Sequence, residues 1–364
     1  MRIVVKIGTS SVTERTGQIR DSAIRDLCDQ VAAARSDGHE VIVVSSGAVA
    51  GGVGALGLEE RPADTLTLQA LSAVGQSVLM ARYNAHLARH GLVGGQVLLV
   101  PHDFIDRSQY LHARATLAQL LELGCVPVIN ENDAIASDEI RFGDNDRIAA
   151  LVAHLVRADV LVLLTDTAGL YTADPVRDPS ARLVEVVAAD DPLLNVRATS
   201  SGTQVGSGGM ASKLAAARIA SWSGVRTVIA AASRPGVLDG AICGAEGTGT
   251  QFLPHDMNLP ARKLWIAFAA QSTGTVVVDR GAREALTSRH SSLLHAGVLE
   301  VRGDFAAGDT VEVVGPDGAA FARGMVAVDA TRAAAAAGRT SESLPEDVPS
   351  ELIHRDDLVI LAAR

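Results

Sequence analysis

Short, continuously apolar runs alternate with longer segments of helical periodicity up to about residue 255 of this 364-residue chain. The apolar runs are bounded by turn residues and predict strands buried on both faces of a sheet: MRIVVKI, EVIVVSS, GGQVLLV, CVPVIN, DVLVLLT and RTVIAAA. The segments between them carry apolar residues every three or four positions, and several end at glycine, which predicts helices. This alternation predicts an α/β fold with a mostly parallel sheet sandwiched by helices.

The pattern changes after Asn258, where short β-branched runs are bounded by glycine and aspartate. Five such runs predict a small β-barrel or roll: TGTVVVDRG, GVLEVRG, DTVEVVGPDG, FARGMVAV and DDLVILAAR. The alanine run Ala333–Ala337 predicts a short helix, and the polar stretch after it predicts a loop. The sequence therefore predicts two domains, residues 1–258 and 262–364.

Composition and charge argue against several classes of protein. The net charge of −10 disfavours a general binder of nucleic acid or anionic membranes, which depends on clustered Lys and Arg. Cys28, Cys125 and Cys243 lie far apart without a CxxC motif, so we expect neither a zinc site nor a disulfide framework. Such cysteine usage predicts a cytoplasmic location. The N-terminus lacks an apolar signal core, so no export is predicted. The uncharged stretch Val41–Leu58 approaches the length of a membrane span, but its serine pair and five glycines favour a buried strand and a glycine-rich turn.

Ligands of an open parallel sheet bind beyond the carboxyl ends of the strands, so the residues that follow each strand are the candidate site. Lys6 lies at the end of the first predicted strand, where a buried ammonium requires an anion. The alternative is a lysine that reaches the surface. Ser45, Ser46 and Gly47 follow the second strand at a predicted strand-to-helix junction, which favours an anion. A plain N-cap serine would explain the same pattern.

Two acidic and amide-rich segments follow the fourth predicted strand. PVINENDAIA places Asn130 to Asp133 after that strand, where a turn with side-chain-to-backbone bonds is the alternative. Ten residues later Asp144, Asn145 and Asp146 precede a predicted helix. One helix cap needs one such residue, and three consecutive candidates exceed that need. Together the two segments predict a pocket for a polar, cationic group.

A second pair of segments suits phosphate. Thr165 and Asp166 follow an apolar strand, and Gly206–Lys213 is a glycine-rich turn that opens a helix and carries a lysine. Such turns bring backbone N–H groups close to phosphate oxygens. A flexible linker is the alternative, and the Gly-Lys-Ser/Thr ending of a Walker A loop is absent.

Seven motifs, in this order, closely resemble the amino acid kinase family, and within it the glutamate 5-kinases: VVKIGTSSVT, SSGAVAGG, AVGQ, PVINENDAI, FGDND, LLTDTAGLYTADP and GSGGMASK. The strands from about Lys263 onward, with SRHSSLL and a late HRDD, resemble the PUA domain of bacterial members. The resemblance covers nearly the whole chain. It implies an amino acid kinase-like domain followed by a small β-barrel-like PUA domain.

The resemblance also implies a reaction, in which the ATP γ-phosphoryl group is transferred to the side-chain carboxylate of L-glutamate. The product is L-glutamyl 5-phosphate, the first intermediate of proline biosynthesis, and Mg²⁺ accompanies ATP. Lys6 and Lys213 would contact the transferring phosphoryl group, with Asp146 positioning both lysines. The glutamate site would comprise Ser46, Asp133 and Asn145, lined by Asn130 and Asp144. The ATP site would comprise Lys6, Thr165, Asp166, Gly206, Ser207, Gly208, Gly209, Met210, Ala211, Ser212 and Lys213.

Elementary chemistry agrees with that reaction. A glutamate side chain has an unperturbed pKa of about 4.3, so the nucleophile is ionised at neutral pH and no general base is required. The protein must instead neutralise the charge on the transferring oxygens, which lysines, backbone N–H groups and Mg²⁺ can do. Because Mg²⁺ binds mainly through phosphates and water, the sequence predicts no specific protein ligand for it.

The resemblance further implies a homo-oligomer and, as a hypothesis, feedback inhibition by proline. Neither a membrane nor nucleic acid is an expected partner, since the C-terminal module has more acidic than basic residues and no evident aromatic-basic strip. Two other interpretations remain. One is that the chain is a kinase for aspartate or N-acetylglutamate. The other is that it is a non-catalytic RNA-binding or regulatory protein, and the presence of Lys6, Asp146 and Lys213 argues against this second interpretation.

Overall fold

A computed structural model describes residues 1–14, 18–135, 145–189, 191, 209–255, 259–269 and 272–361. The chain forms two compact units, Met1–Asn258 and Leu259–Arg364.

The first unit alternates strands and helices. Its described strands are β1 (Arg2–Ile7), β2 (Glu40–Val44), β3 (Gly94–Leu99), β4 (Val126–Glu131), β5 (Val160–Thr165), β6 (Val186–Val187), β7 (Arg226–Ala231) and β8 (Thr250–Phe252). Its described helices are α1 (Thr9–Val12), α2 (Asp21–Ser36), α3 (Ala48–Ala55), α4 (Thr65–Ala88), α5 (Arg107–Glu122), α6 (Asn145–Leu155), α7 (Met210–Ser221) and α8 (Val237–Cys243), with a 3₁₀ turn at Pro101–Phe104.

These strands form one sheet in the order β3-β4-β2-β1-β5-β7-β8-β6. Neighbouring strands are parallel except for the antiparallel pair β7 and β8. The chain first builds the side of β1 that carries β2, β4 and β3, and then crosses to the other side with β5. Such a reversal opens a crevice at the carboxyl ends of the strands, which places the end of β1 at its centre.

Alternation along β1 assigns its side chains to the two faces of the sheet. Ile3, Val5 and Ile7 enter an apolar core with residues of α2, α4 and α8. Lys6 therefore points to the opposite face, where α6 packs against β1. This orientation directs the lysine towards the residues that begin α6.

The six strands predicted in this unit are confirmed, with one difference in burial. GGQVLLV forms β3 at the edge of the sheet, and most of its residues are only partly buried. It lacks a neighbour on one side, so the expectation of burial on both faces is wrong for this strand. The short strands β6 and β8 carry too few residues for a periodic signal, and the sequence did not predict them.

The glycine-rich stretch after β2 forms helix α3 rather than a turn. A Cβ atom at Gly52 would lie 2.0 Å from the carbonyl oxygen of Leu71, and one at Gly75 would lie 1.7 Å from that of Ala48. The glycines thus let the backbones of α3 and α4 touch, which explains why this segment is rich in glycine. No helix among the described residues is long and apolar enough to cross a membrane.

The second unit contains mainly strands. Its described strands are β9 (Ser272–Val278), β10 (Leu293–Leu294), β11 (Val298–Gly303), β12 (Thr310–Val314), β13 (Ala320–Met325), β14 (Glu351–Ile353) and β15 (Leu358–Ile360). Its described helices are α9 (Ala261–Leu264), followed by a π-helical turn at Trp265–Ala269, α10 (Arg280–Arg289) and α11 (Ala330–Ala336). Single 3₁₀ turns lie at His295–Gly297, Ser341–Ser343 and Arg355–Asp357.

Five of these strands form a sheet in the order β11-β9-β12-β13-β15, and β10 pairs with β14. The central pair β9 and β12 is parallel, and the other pairs are antiparallel. The five predicted strands and the short alanine helix are confirmed. Helix α10 was not predicted; Asp279 caps it by accepting a hydrogen bond from the backbone N–H of Ala282.

Candidate active site

Lys6 lies in the central strand of the first unit, in register with Val44 of β2 and Leu163 of β5. Its side chain is 4% exposed, and its Nζ lies 2.7 Å from Oδ1 of Asp146. The lysine therefore does not extend to the surface. The buried ammonium has the anion that its burial requires.

Asp146 joins residues from three separate parts of the chain. It lies in the first turn of α6, where the helix dipole favours a negative charge. Its Oδ2 lies 3.3 Å from Nζ of Lys213 and accepts a 2.5 Å hydrogen bond from Oγ of Ser212. We call Lys6, Asp146, Ser212 and Lys213 the Asp146 cluster.

The charges within this cluster decide the protonation of Asp146. Burial by itself would raise the pKa of its carboxyl group. The charges of Lys6 and Lys213 and the hydrogen bonds from Lys6 and Ser212 outweigh burial and lower the pKa to about 2. Asp146 is therefore ionised at neutral pH, with two buried cations beside it.

Lysine is rare in this chain, which has three lysines and 29 arginines. Two of the three are the buried members of the Asp146 cluster. The third, Lys263, lies in the second unit and hydrogen-bonds the carbonyl of Arg355. A lysine ammonium is a compact point charge, whereas an arginine guanidinium is planar and wider. The cluster therefore contains the more compact of the two cations.

Helix α7 carries Ser212 and Lys213 in its first turn. Gly209 is its N-cap residue, and the carbonyl of Gly209 accepts hydrogen bonds from the backbone N–H groups of Ser212 and Lys213. Met210 and Ala211 are partly buried at the same end of the helix. A helix N-terminus beside a lysine is suited to phosphate oxygens. Gly206, Ser207 and Gly208 lie outside the described residues, as does Asp144.

Asn130 and Glu131 both belong to β4; the predicted strand CVPVIN ended at Asn130, and Glu131 extends it by one residue. The backbone N–H of Glu131 donates to Oδ1 of Asn130 at 2.9 Å and to Oδ1 of Asn145 at 3.1 Å. This shared donor joins the end of β4 to the start of α6. Nδ2 of Asn130 is buried and has no hydrogen-bond partner within the described part of the chain, so it is a donor available to a ligand.

Ser46 is buried at the carboxyl end of β2. The N-cap of α3 is Gly47, at a φ of +101°, and no side chain caps this helix. The explanation of Ser46 as a plain N-cap is therefore wrong. The preceding Ser45 donates its hydroxyl to the carbonyl of Ser46 and lies 2.9 Å from the hydroxyl of Tyr83, which ties this turn to α4.

Asp133 follows β4 and is 6% exposed. Its Oδ2 accepts a 2.7 Å hydrogen bond from Oγ of Ser72 in α4. Burial raises the pKa of its carboxyl group, while the Ser72 hydrogen bond and the charge of Arg61 act in the opposite direction.

Thr165 ends β5, and Asp166 follows it in an exposed position. The Thr165 hydroxyl donates to Oδ1 of Asp166 at 3.0 Å. Within the described residues, no hydrogen bond joins Thr165 or Asp166 to the Asp146 cluster. They lie on the β5 side of the crevice, whereas Ser46 and Asn130 lie on the β2 and β4 side.

Models of known protein families match both units of the chain. The model of the amino acid kinase family matches residues 1–231, and the PUA domain model matches residues 274–346. The chain belongs to the amino acid kinase family.

Relatives of this amino acid kinase match it over nearly the whole length of both chains. A glutamate 5-kinase of Bifidobacterium adolescentis is 46% identical over 99% of this chain and 95% of its own. A glutamate 5-kinase of Thermobifida fusca is 45% identical over 99% of this chain and 93% of its own. Among solved structures, an isopentenyl phosphate kinase of T. acidophilum covers 69% of this chain and all of its own at 19% identity and a TM-score of 0.48.

Three contacts of the amino acid kinase site were not predicted from sequence. Ser72 bonds Asp133, and Tyr83 lies beside Ser45. The sequence signal for the first two contacts is the helical spacing of positions 72, 76, 79 and 83, which share one buried face of α4. Ser212 was expected only at the nucleotide, and its hydrogen bond to Asp146 was not anticipated.

The described residues offer no group of three or more His, Cys, Asp or Glu side chains that could hold a metal ion. Asp146 is the most buried carboxylate beside the lysines, and both of its oxygens face cations.

Proposed function

We propose that this amino acid kinase is a glutamate 5-kinase, which transfers the γ-phosphoryl group of ATP to the side-chain carboxylate of L-glutamate. The Asp146 cluster is the observation that carries the proposal, because two buried lysines converge at the centre of the crevice. The relatives named glutamate 5-kinase, which align over 99% of this chain, support the same activity. The product, L-glutamyl 5-phosphate, belongs to proline biosynthesis.

The reaction forms one bond and breaks one. A side-chain carboxylate oxygen of glutamate attacks the γ-phosphorus, and the bond from that phosphorus to the β,γ-bridging oxygen breaks, so that ADP leaves with the bonding electrons. The carboxylate is ionised at neutral pH, since its unperturbed pKa is about 4.3. No proton has to be removed from the nucleophile.

The lysines have the central role in this mechanism. A carboxylate approaching a polyphosphate meets electrostatic repulsion, and negative charge spreads over the transferring oxygens. Lys6 and Lys213 supply two positive charges there, held by opposite oxygens of Asp146. Because Asp146 fixes both ammonium groups before substrates bind, little reorganisation is needed in the transition state.

Glutamate is proposed to lie on the β2 and β4 side of the crevice. Asp133 would pair with the α-ammonium group, while Ser46, Asn130 and Asn145 would donate to substrate oxygens; Asp144 would complete this site. The buried and unpartnered Nδ2 of Asn130 supports the assignment, because an unsatisfied buried donor is costly until a ligand accepts its hydrogen bond.

ATP is proposed to lie on the β5 and α7 side. Thr165 and Asp166 would contact the nucleotide, and the turn Gly206–Ser212 with Lys213 would hold its phosphates. Mg²⁺ would be held mainly through the phosphates of the nucleotide and water, and would neutralise part of the phosphate charge.

Further parts of the proposal concern the whole protein. We include in the proposal a division into domains of residues 1–258 and 262–364, a homo-oligomeric state and inhibition by proline. The cytoplasm suits a chain that consumes ATP and keeps Cys28, Cys125 and Cys243 as free thiols. Proline has a carboxylate and an ammonium group that a glutamate pocket can accept; a proline titration to millimolar levels that leaves the rate unchanged would remove that part.

The test is ADP release by the purified protein with Mg-ATP and, in turn, L-glutamate, L-aspartate or N-acetyl-L-glutamate. Hydroxylamine is included to convert an acyl phosphate into a hydroxamate. We expect a hydroxamate from glutamate alone, because N-acetylglutamate lacks the ammonium group that Asp133 would bind and aspartate is shorter by one methylene.

The matched variants are Lys213→Ala and Lys263→Ala. The first should lower kcat by roughly 100-fold or more, as expected on loss of a preorganised charge at the transition state. The second should retain the wild-type rate, since Lys263 belongs to the second unit, where it hydrogen-bonds the carbonyl of Arg355. Turnover of N-acetylglutamate or aspartate in place of glutamate would contradict the substrate assignment, and equal rates in the two variants would contradict the role of Lys213.

A further inference from the structure

Ser72 is a buried hydroxyl on the inward face of α4. It is 1% exposed, and its neighbours Leu68, Leu71 and Leu79 are also buried. A serine inside a helix usually bonds a carbonyl of its own preceding turn. Ser77 of the same helix does so, since its hydroxyl donates to the carbonyl of Val74. Ser72 instead donates to Oδ2 of Asp133, 61 residues away in the sequence, at 2.7 Å.

The position of α4 makes this contact rigid. The close approach of Gly75 to Ala48 and of Gly52 to Leu71 fixes α4 against α3. Farther along the same face of α4, Tyr83 contacts Ser45 beside Ser46. The helix therefore touches both strand ends of the proposed glutamate side, one through Ser72 and the other through Tyr83.

We propose that Ser72 is a positioning residue that orients the Asp133 carboxylate for the α-ammonium group of an acidic amino acid. The inference rests on the proposed function and goes beyond it by naming a residue that acts through Asp133. The Ser72 hydrogen bond occupies Oδ2 and leaves Oδ1 to face the substrate. One oxygen fixed by a buried donor restricts rotation of the carboxylate, so less orientational freedom is lost when the ammonium group binds.

The same hydrogen bond favours the charged form of the carboxylate. Burial opposes ionisation of Asp133, and the charge of Arg61, in the exposed segment between α3 and α4, assists Ser72 in offsetting it. An ammonium group needs an ionised partner. Removing the Ser72 hydroxyl should therefore weaken glutamate binding most at low pH, where protonation of Asp133 competes with binding.

The experiment compares Ser72→Ala with Ser77→Ala in steady-state assays of the full chain. In Ser72→Ala we expect KM for glutamate to rise roughly tenfold, as for loss of a hydrogen bond to a charged group, while kcat and KM for ATP stay within about twofold. The acid limb of kcat/KM for glutamate should move to higher pH. Ser77→Ala should match the wild type in all of these, and Ser72→Thr, which keeps the hydroxyl, should restore most of the affinity.

Two further measurements separate positioning from a structural role. Glutarate, which has both carboxylates but no ammonium group, should inhibit Ser72→Ala at least as strongly as the wild type. In an Asp133→Asn background, Ser72→Ala should add less than twofold to KM for glutamate, because the two residues act as one unit.

The outcomes are distinguishable. A wild-type protein that makes no hydroxamate from glutamate overturns the proposed function. An active wild type with an unchanged Ser72→Ala variant overturns the role of Ser72 alone. Parallel increases in KM for ATP, KM for glutamate and the inhibition constant of glutarate also overturn it, since they indicate general loosening of the fold.

Discussion

Lys6 and Asp146 form an ion pair of 2.7 Å in which the side chains are 4% and 1% exposed. Lys6 comes from the central strand and Asp146 from the first turn of α6, 140 residues later in the chain. Burying two charges costs free energy that their attraction repays only with good geometry and further hydrogen bonds. Ser212 and Lys213 provide those further contacts, which is consistent with a cluster maintained for catalysis and not for stability alone.

Asp146→Asn tests this relationship. The substitution leaves two buried ammonium groups without their counter-ion, so we expect kcat to fall by roughly 100-fold and the free energy of unfolding to fall by about 3 kcal/mol. Hydroxamate assays and urea titrations provide the two measurements. Asp21→Asn, which removes a half-exposed carboxylate paired with Arg82, is the control. It should change kcat by no more than about twofold and the free energy of unfolding by no more than about 1 kcal/mol. Wild-type kcat in Asp146→Asn would refute the positioning role.

Lys213→Arg tests whether the cluster needs lysine or only a positive charge. The larger planar guanidinium cannot place its charge where Nζ lies without moving Asp146, so we expect kcat to fall by roughly 10- to 100-fold. KM for glutamate should change less than kcat. Lys263→Arg is the matched control, and a Lys213→Arg variant as active as this control would show that charge alone suffices.

The pKa of Asp146 predicts a pH-dependent contribution to stability. Its pKa is lowered from 3.8 to about 2, so the unfolded chain binds the proton more readily than the folded protein. The contribution is complete above pH 4 and is lost as the pH falls through 2, with a total of roughly 2 kcal/mol. Measured by urea unfolding, the difference between wild type and Asp146→Asn should stay constant from pH 6 to pH 5 and shrink below pH 4. A difference that stays level in acid would contradict the lowered pKa.

The contact between α3 and α4 predicts opposite effects for two glycine substitutions. Gly75→Ala would place Cβ 1.7 Å from the carbonyl oxygen of Ala48, so the helices must separate, at a cost of roughly 3 kcal/mol. KM for glutamate should rise, because α3 begins two residues after Ser46. At Gly54 the nearest atom to a new Cβ is 3.8 Å away, so Gly54→Ala should stabilise the protein by about 0.5–1 kcal/mol. Equilibrium unfolding checks both signs.

Much of the architecture could be predicted from the chain itself. Apolar runs such as RIVVKI and VLVLLT are continuous because strands of a parallel sheet are buried on both faces, and that local pattern needs no knowledge of the fold. The edge strand β3 shows the limit of the argument. Its sequence is as apolar as that of its neighbours, and only its place in the strand order exposes it.

The residue types of the site were also accessible from sequence. Lys6, Asp146 and Lys213 are conspicuous because a charge at the end of a buried strand, or beside a glycine-rich turn, requires a partner. Residue patterns alone could not show that both lysines meet on one carboxylate, an arrangement that only the resemblance to the family implied. That convergence depends on the packing of α6 against β1 and of α7 against α6, which brings together residues separated by up to 207 positions.

The sequence by itself determined the alternation of strands and helices, the change to a β-rich second unit and the chemical types of the candidate site residues. Those properties follow from local periodicity and from the cost of burying charge. Only the tertiary structure decided that Glu131 lies within β4, that Gly47 and not Ser46 caps α3, and that Ser72 bonds Asp133. A hydroxyl or an amide has no local signature of its partner, because its hydrogen bond is chosen by the element that packs against it.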